Sequence, residues 1–349
     1  MMPKYQKVFL TAMAYELGPV VVTSAELEDR LESVYAQLNL LPGQLEAWTG
    51  IVERRWWQPE FKLSDGAAAA ARKALQKANL DPAQLGSLIY AAVCREYFEP
   101  ATACAVANAI GVGGDAFIYD LSNACLGVMN AIIEVANRIE LGQIRAGLVV
   151  SCESAREINE IALGRLRRGT DMDQFLRSVA TFTGGSGAVA LLLTDGSFTA
   201  QPGHRLLGAV SEIAPEHHQL CRWGLEPGVD GQTEQFASTD AVGVMNHGVL
   251  LGTRTWEHFL KQQGWNGTEV DRIICHQVSR THQEAILRAI QIPREKDYPT
   301  YRFLGNMGTA ALPVTAAIAE ERGILKSARR VAFLGIGSGL TCLMLGWEW

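Results

Sequence analysis

Apolar positions along the chain fall into two recurring patterns. Short apolar runs bounded by turn formers predict buried strands. They include about seven residues ending near Cys94 in DPAQLGSLIYAAVC, then FIYDL at 117–121, GLVVSCES at 147–154, and a run within GGSGAVALLLTD at 184–195. Between them lie stretches with helical spacing. SDGAAAAARKALQKANL at 64–80 is alanine-filled, with Ser64 or Asp65 able to cap it, and EPATACAVANAIG at 99–111 places Pro100 at a first helical position. A further helix runs from Cys125 to about Glu140. The second half repeats the style, with a helix over roughly 245–264, a strand in EVDRIICHQ that ends at His276, and a helix RTHQEAILRAI that Ser279 can cap. GNMGTAALPVTAAIAEER reads as a glycine loop feeding a helix, and RRVAFLGIGSGLTCLMLGWEW as strand, turn and strand. This alternation predicts an α/β protein. Residues 155–182 are more polar, with broken periodicity, and predict a surface excursion or lid. TDGSFTAQPGH, rich in turn formers, marks the expected boundary between two halves, 1–196 and 197–349.

Composition narrows the class. A chain of 349 residues with 48% hydrophobic positions can bury a sizeable core and has room for two domains or one large duplicated one. With 31 basic and 37 acidic residues the net charge is -6, and no basic block or basic–aromatic stripe appears, which argues against a nucleic-acid partner. The densest basic run, RLRRG at 165–169, reads first as solvated surface and second as a contact for an anion or an acyl carrier. The N-terminus lacks the pattern of a signal peptide and reads as a first strand, and no apolar stretch is long enough to predict a transmembrane segment. Seven scattered cysteines without a C-x-x-C pair predict reduced thiols in a cytoplasmic protein.

Three polar residues sit where α/β sheets place their chemistry, at strand ends and helix starts: Cys125, His276 and Asn306. The positive end of a helix favours a thiolate at Cys125, yet free cysteine is among the most buried residue types, and position alone leans toward a core thiol. A lone histidine after a strand is more often structural than catalytic. Asn306 between glycines reads first as a left-handed turn residue, although the glycines also permit a close backbone approach. His217 and His218 lack a second set of ligands, so no metal site is predicted. GIGSG at 335–339 is followed by a strand and not a helix, so it reads as a tight turn presenting an N–H and not as a phosphate loop.

Taken together, TGIVERR at 49–55, SNACLG around Cys125, ICHQ around His276, GNMGTAALP around Asn306 and LGIGSGLT near the C-terminus resemble the thiolase superfamily. The resemblance runs in family order over nearly the whole chain and points to the ketoacyl-acyl-carrier-protein synthase III branch. CREYFEPATA, HQVSRTH and LGIGSGL are most similar to the OleA-type thiolases of bacterial long-chain olefin synthesis. The branch's more usual HQAN-type run reads HQVS here, and its GGG-type turn reads GSG.

The resemblance implies a thiolase fold, two similar halves forming a five-layered αβαβα sandwich. It implies a Claisen condensation of two acyl thioesters, delivered by CoA or an acyl carrier protein, with no cofactor. Cys125 would carry the first acyl group, with its own N–H and that of Ser338 as oxyanion donors, and His276 and Asn306 would stabilise the enolate of the second. Glu99, in YFEPAT, falls where OleA-type enzymes carry a glutamate that enters the partner subunit's active site, so a homodimer is expected; without the resemblance it reads as a helix-start carboxylate. The Glu99 context favours non-decarboxylative condensation of fatty acyl-CoAs to a 2-alkyl-3-oxo acid, in company with other enzymes of a lipid or olefin pathway. The alternatives are a decarboxylative synthase III using a malonyl thioester, a non-condensing cysteine acyltransferase, an inactive acyl-binding scaffold and a papain-like hydrolase. Residues 165–182 and the RRWWQPEF run are candidates to line the acyl pocket, the latter being more naturally core and dimer packing.

Overall fold

A computed structural model describes residues 4–201, 203–228, 232–276 and 278–349. Met1, Met2 and Pro3 of the first-strand reading, Pro202 of the expected boundary and Gln277 of the HQVS run lie outside the described residues.

The chain runs β1 (Phe9–Leu17), β2 (Val20–Thr23), α1 (Ser24–Asp29), α2 (Glu32–Leu38), α3 (Gln44–Thr49), β3 (Glu53–Trp56), α4 (Leu63–Ala78), β4 (Ser87–Ala91), α5 (Thr102–Ile110) and β5 (Phe117–Leu121). It continues α6 (Gly127–Glu140), β6 (Ala146–Glu153), α7 (Arg156–Arg167), α8 (Met172–Phe182) and β7 (Gly187–Thr194). The second half runs β8 (His204–Ile213), β9 (Cys221–Pro227), β10 (Thr233–Thr239), α9 (Ala241–Gln263), β11 (Arg272–Cys275), α10 (Arg280–Ala289), α11 (Tyr301–Leu304), α12 (Ala311–Glu321), β12 (Arg330–Gly337) and β13 (Thr341–Glu348).

Strand order exposes a duplication that residue identities hide. The first half reads β1-β7-β6-β4-β5 and the second β8-β13-β12-β11. In each, the first two neighbouring pairs are antiparallel and the next is parallel. The halves join where Phe9 and Leu10 of β1 pair with Arg205 and His204 of β8, so hydrogen bonding runs through nine strands among the described residues.

Side-chain alternation builds the layers. In β6, Val149 faces one core while Leu148 and Val150 face another; in β12, Val331 and Phe333 face inward while Ala332 and Leu334 face outward. The inward faces of both sheets share one apolar cluster with α6 and α12, through residues such as Val128, Ile132, Val314 and Ile318. The outer face of the first sheet is covered by α4 and α5, and that of the second by α9 and α10. The result is helix, sheet, helix, sheet, helix, the sandwich that the resemblance implies.

Two helix starts differ from the sequence reading, for one physical reason. Helix α5 begins at Thr102, and Pro100 lies before it, because Asp120 on β5 accepts the Thr102 and Ala103 N–H groups at 2.9 and 2.8 Å. Helix α4 begins at Leu63, so Ser64 and Asp65 sit inside it, and the Ser64 N–H is taken by Glu96 at 2.7 Å. In both cases a carboxylate remote in sequence satisfies the free helix end.

Candidate active site

The duplication places the central helices with their N-termini together, and the Val128 N–H at the start of α6 donates to Thr309 Oγ1 at 2.7 Å. Cys125 precedes α6 and Asn306 precedes α12. His276 follows β11 directly, its N–H donating to Leu334 O at 2.9 Å, and Ser338 lies in the turn after β12. Cys125, His276, Asn306 and Ser338 all line one cavity of about 700 Å³, a volume suited to a small-molecule substrate.

The turn before Cys125 is strained. Ala124 has φ +46°, a left-handed conformation that a residue with a side chain rarely adopts. The second half closes over it: a Cβ at Gly337 would lie 3.2 Å from Leu126 Cγ and 3.4 Å from Cys125 N, so the GIGSG segment packs closely on the Cys125 backbone.

Around Asn306 the glycines carry the strain. Gly305 and Gly308 have φ +65° and +54°, whereas Asn306 is not among the residues of positive φ, so the left-handed reading of Asn306 is replaced by one of its neighbours. Its backbone is stitched to the first half by Asn306 N–H to Thr183 O at 2.8 Å and Gly185 N–H to Asn306 O at 2.9 Å. Its Oδ1 accepts the Gly308 N–H at 3.1 Å, which fixes the amide and leaves Nδ2 to donate.

Burial overrides the helix dipole at Cys125. Desolvation pushes the thiol up to about 12, reinforced by Cys221 and Glu153, against a lowering by its own N–H. The thiolate expected at a helix start is therefore not the resting form. Burial pushes His276 down to about 4, reinforced by His282, so the imidazole rests neutral. A neutral thiol must lose its proton for the sulfur to attack, and a neutral imidazole lines the same cavity.

Glu99 is not brought into this cavity. It is exposed in the loop between β4 and α5, beside Tyr97 and Phe98, the latter 96% exposed. The carboxylate among the described lining residues is Glu153, at the end of β6. It accepts the Val93 and Cys94 N–H groups at 3.0 and 3.1 Å and a further N–H from Thr309, while burial raises its pKa. Glu153 thus ties β6, the loop after β4 and the start of α12 together. A single acid ending the apolar run GLVVSCE was the visible signal for it.

The β9–β10 hairpin, unremarked in the sequence, supplies one wall through Cys221, Trp223 and Phe236. The RLRRG run holds that hairpin: Arg165 pairs with Glu226, and Arg168 with Glu234 at 3.0 Å. Of residues 165–182, Ala180 and Thr181 line the cavity. The two tryptophans of RRWWQPEF do not; buried behind it, Trp56 donates to Gly184 O at 3.1 Å and Trp57 to Glu153 O at 3.0 Å. No group of three metal-ligating side chains occurs among the described residues, and His217 stacks on His247. No described helix is long and apolar enough to cross a membrane. None of the seven cysteines forms a disulfide.

Residues 51–181 match the family model of the thiolase N-terminal domain, and residues 260–349 that of the 3-oxoacyl-[acyl-carrier-protein] synthase III C terminal. The acyl-CoA:acyl-CoA alkyltransferase of Shewanella oneidensis is 53% identical over 348 residues, 99% of this chain and 100% of that protein. The crystal structure of cerulenin-bound OleA from Xanthomonas campestris superposes with a TM-score of 0.93 at 33% identity, covering 100% of this chain and 98% of that one. The 3-oxoacyl-(acyl carrier protein) synthase III, FabH, of Xanthomonas oryzae gives 0.92 at 33% identity, covering 100% of both chains. With a cysteine, a histidine and an asparagine meeting at the seam of a duplicated sandwich, and a relative this similar over its full length, the chain belongs to the thiolase superfamily and, within it, to the OleA family of acyl-CoA:acyl-CoA alkyltransferases.

Proposed function

We propose that the protein condenses two fatty acyl-CoA molecules by a non-decarboxylative Claisen reaction, through an acyl-Cys125 intermediate, to a 2-alkyl-3-oxo acid. The observation that carries this reading is the convergence of Cys125, His276 and Asn306 on one cavity with largely apolar walls. The Cys125 proton passes to the CoA sulfur as Cys125 attacks the first thioester, the Cys125 and Ser338 N–H groups hold the oxyanion, and CoA leaves as its thiol. A base removes an α-proton from the second acyl-CoA, and His276 Nε2–H and Asn306 Nδ2 stabilise the enolate oxygen. Attack on the acyl-Cys carbonyl releases the Cys125 thiolate, which takes the α-proton from the base, and leaves a 2-alkyl-3-oxoacyl-CoA; hydrolysis of its thioester frees the 3-oxo acid.

The base in this scheme is the partner's Glu99, across a homodimer. Glu153 is poorly suited, since its oxygens already accept three N–H groups. The dimer reading is supported by surface that a second copy would cover: β5 is an edge strand, Phe117 on it is half-exposed, and Phe98 next to Glu99 stands in solvent. The reaction needs no cofactor, and seven cysteines without a disulfide fit a cytoplasmic setting.

The test is purified protein with long-chain acyl-CoA as the sole substrate. The expected result is CoA release and a 3-oxo acid that decarboxylates to a long-chain ketone. Product only when malonyl thioester is added would replace this reading with the decarboxylative one, in which loss of CO2 generates the carbanion and Glu99 is idle.

A further inference from the structure

The cavity holds a second imidazole that the condensation scheme does not use. His282 lies in the first turn of α10, lines the cavity between Val278 and Ile286, and is close enough to bear on the proton affinity of His276. Ser279 fixes it at both ends of the bookkeeping. Its Oγ accepts the His282 backbone N–H at 3.3 Å, as the cap of α10, and lies 2.9 Å from His282 Nδ1. A hydroxyl can accept from one partner and donate to another, and with Ser279 Oγ–H donating to Nδ1 the ring's own hydrogen resides on Nε2. That Nε2 is buried and has no hydrogen-bond partner in the protein. Burial also disfavours protonation of the ring, so it stands as a neutral N–H donor.

A buried donor without an acceptor is unfavourable unless something that enters the cavity completes it. An acyl-CoA carries carbonyl oxygens at its thioester and along its pantetheine arm. We propose that His282 is a substrate-binding residue whose Nε2–H donates to one of these carbonyl oxygens. This rests on the acyl-CoA reading of the cavity and adds a contact to it, separate from the enolate donors His276 and Asn306.

The test is binding, not turnover. Myristoyl-CoA is titrated calorimetrically into Cys125→Ala protein, and into the same protein carrying His282→Phe or His282→Gln. Phenylalanine keeps a ring but no donor, whereas glutamine places an N–H near the Nε2 position. The expected result is a Kd raised about 5- to 10-fold by His282→Phe and within about 2-fold of the parent for His282→Gln, the size of one neutral hydrogen bond. Unchanged binding by the phenylalanine variant, or equal loss in both, overturns the proposal. If His282→Phe does not fold, as judged by Tm, His282→Asn replaces it, since its shorter amide does not reach the Nε2 position. Repeating the titrations with the myristoyl thioester of N-acetylcysteamine sorts the acceptor: a retained difference places it at or next to the thioester, and a lost one places it farther along the arm. Turnover of myristoyl-CoA by the unaltered protein is read in parallel. Absence of condensation there would overturn the proposed function, while the binding comparison would still decide the role of His282.

Discussion

At the start of α6 the chain turns through Ala124, a residue with a side chain held at φ +46°; at the equivalent place before α12 it turns through Gly305 and Gly308, which adopt positive φ at no steric cost. The contrast extends to the functional groups. The Cys125 thiol is held neutral by burial, far from its reactive form, whereas the Asn306 amide is locked by Gly308 in the orientation it would use. In the proposed reaction, one topological position, used twice, thus holds a group that changes charge and a group that stays still.

The largest expected effect comes from removing the group that changes. Cys125→Ala should abolish both the acyl-enzyme mass increment seen on mixing with acyl-CoA and the CoA released. A surviving adduct would move the nucleophile elsewhere and dissolve the comparison. Asn306→Ala should spare acylation and lower condensation about a hundredfold, the usual loss for one oxyanion donor. Equal loss in both half-reactions, read by intact mass and product formation, would show that Asn306 serves the nucleophile instead.

Glu153→Gln sharpens the comparison from below, because Glu153 braces the turn before α12 and not the one before α6. It places an amide NH2 among backbone N–H groups that have one acceptor between them, and should cost about 1–3 kcal/mol of stability by urea denaturation. A comparable effect follows from charge. His276 has its pKa lowered from 6.5 to about 4, so between those values the unfolded chain binds a proton that the folded chain does not. Stability should therefore fall as pH drops from about 6.5 toward 4, and His276→Asn should reduce the slope, read as the shift of the urea midpoint with pH. In the same spirit, iodoacetamide alkylation of Cys125 should keep accelerating beyond pH 10 and show no plateau near the ordinary thiol pKa.

What the sequence disclosed and what it withheld divide along the range of the forces involved. FIYDL and GLVVSCE are strands with the bounds their apolar runs suggest, and α6 ends at Glu140, because local pattern and tertiary burial agree there. The α5 start did not follow from Pro100, because its cap, Asp120, comes from a neighbouring strand. The half-exposed pattern of β9 carries no clean alternation, so the hairpin that walls the cavity was silent. Cys125, His276 and Asn306 were legible through their flanking motifs. The state of the thiol was not, because the helix dipole is a local quantity, whereas desolvation comes from tertiary burial and charge effects arrive from residues as distant as Cys221 and Glu153. Glu99 shows the remaining limit, since a residue expected to act in another subunit is simply exposed in its own chain.

The anchoring of the hairpin has a consequence for traffic through the cavity. Its strands pair with each other and not with the nine-stranded sheet, and its ties to α7 include the partly exposed charge pairs of Arg165 with Glu226 and Arg168 with Glu234. A product bearing two alkyl chains is bulkier than either substrate, and it needs a door. Charges near solvent are screened by salt, while a packed core is not. The wall made by β9 and β10 is thus the side expected to open first, and its hydrogen exchange should rise with ionic strength while that of β6 and β12 stays unchanged.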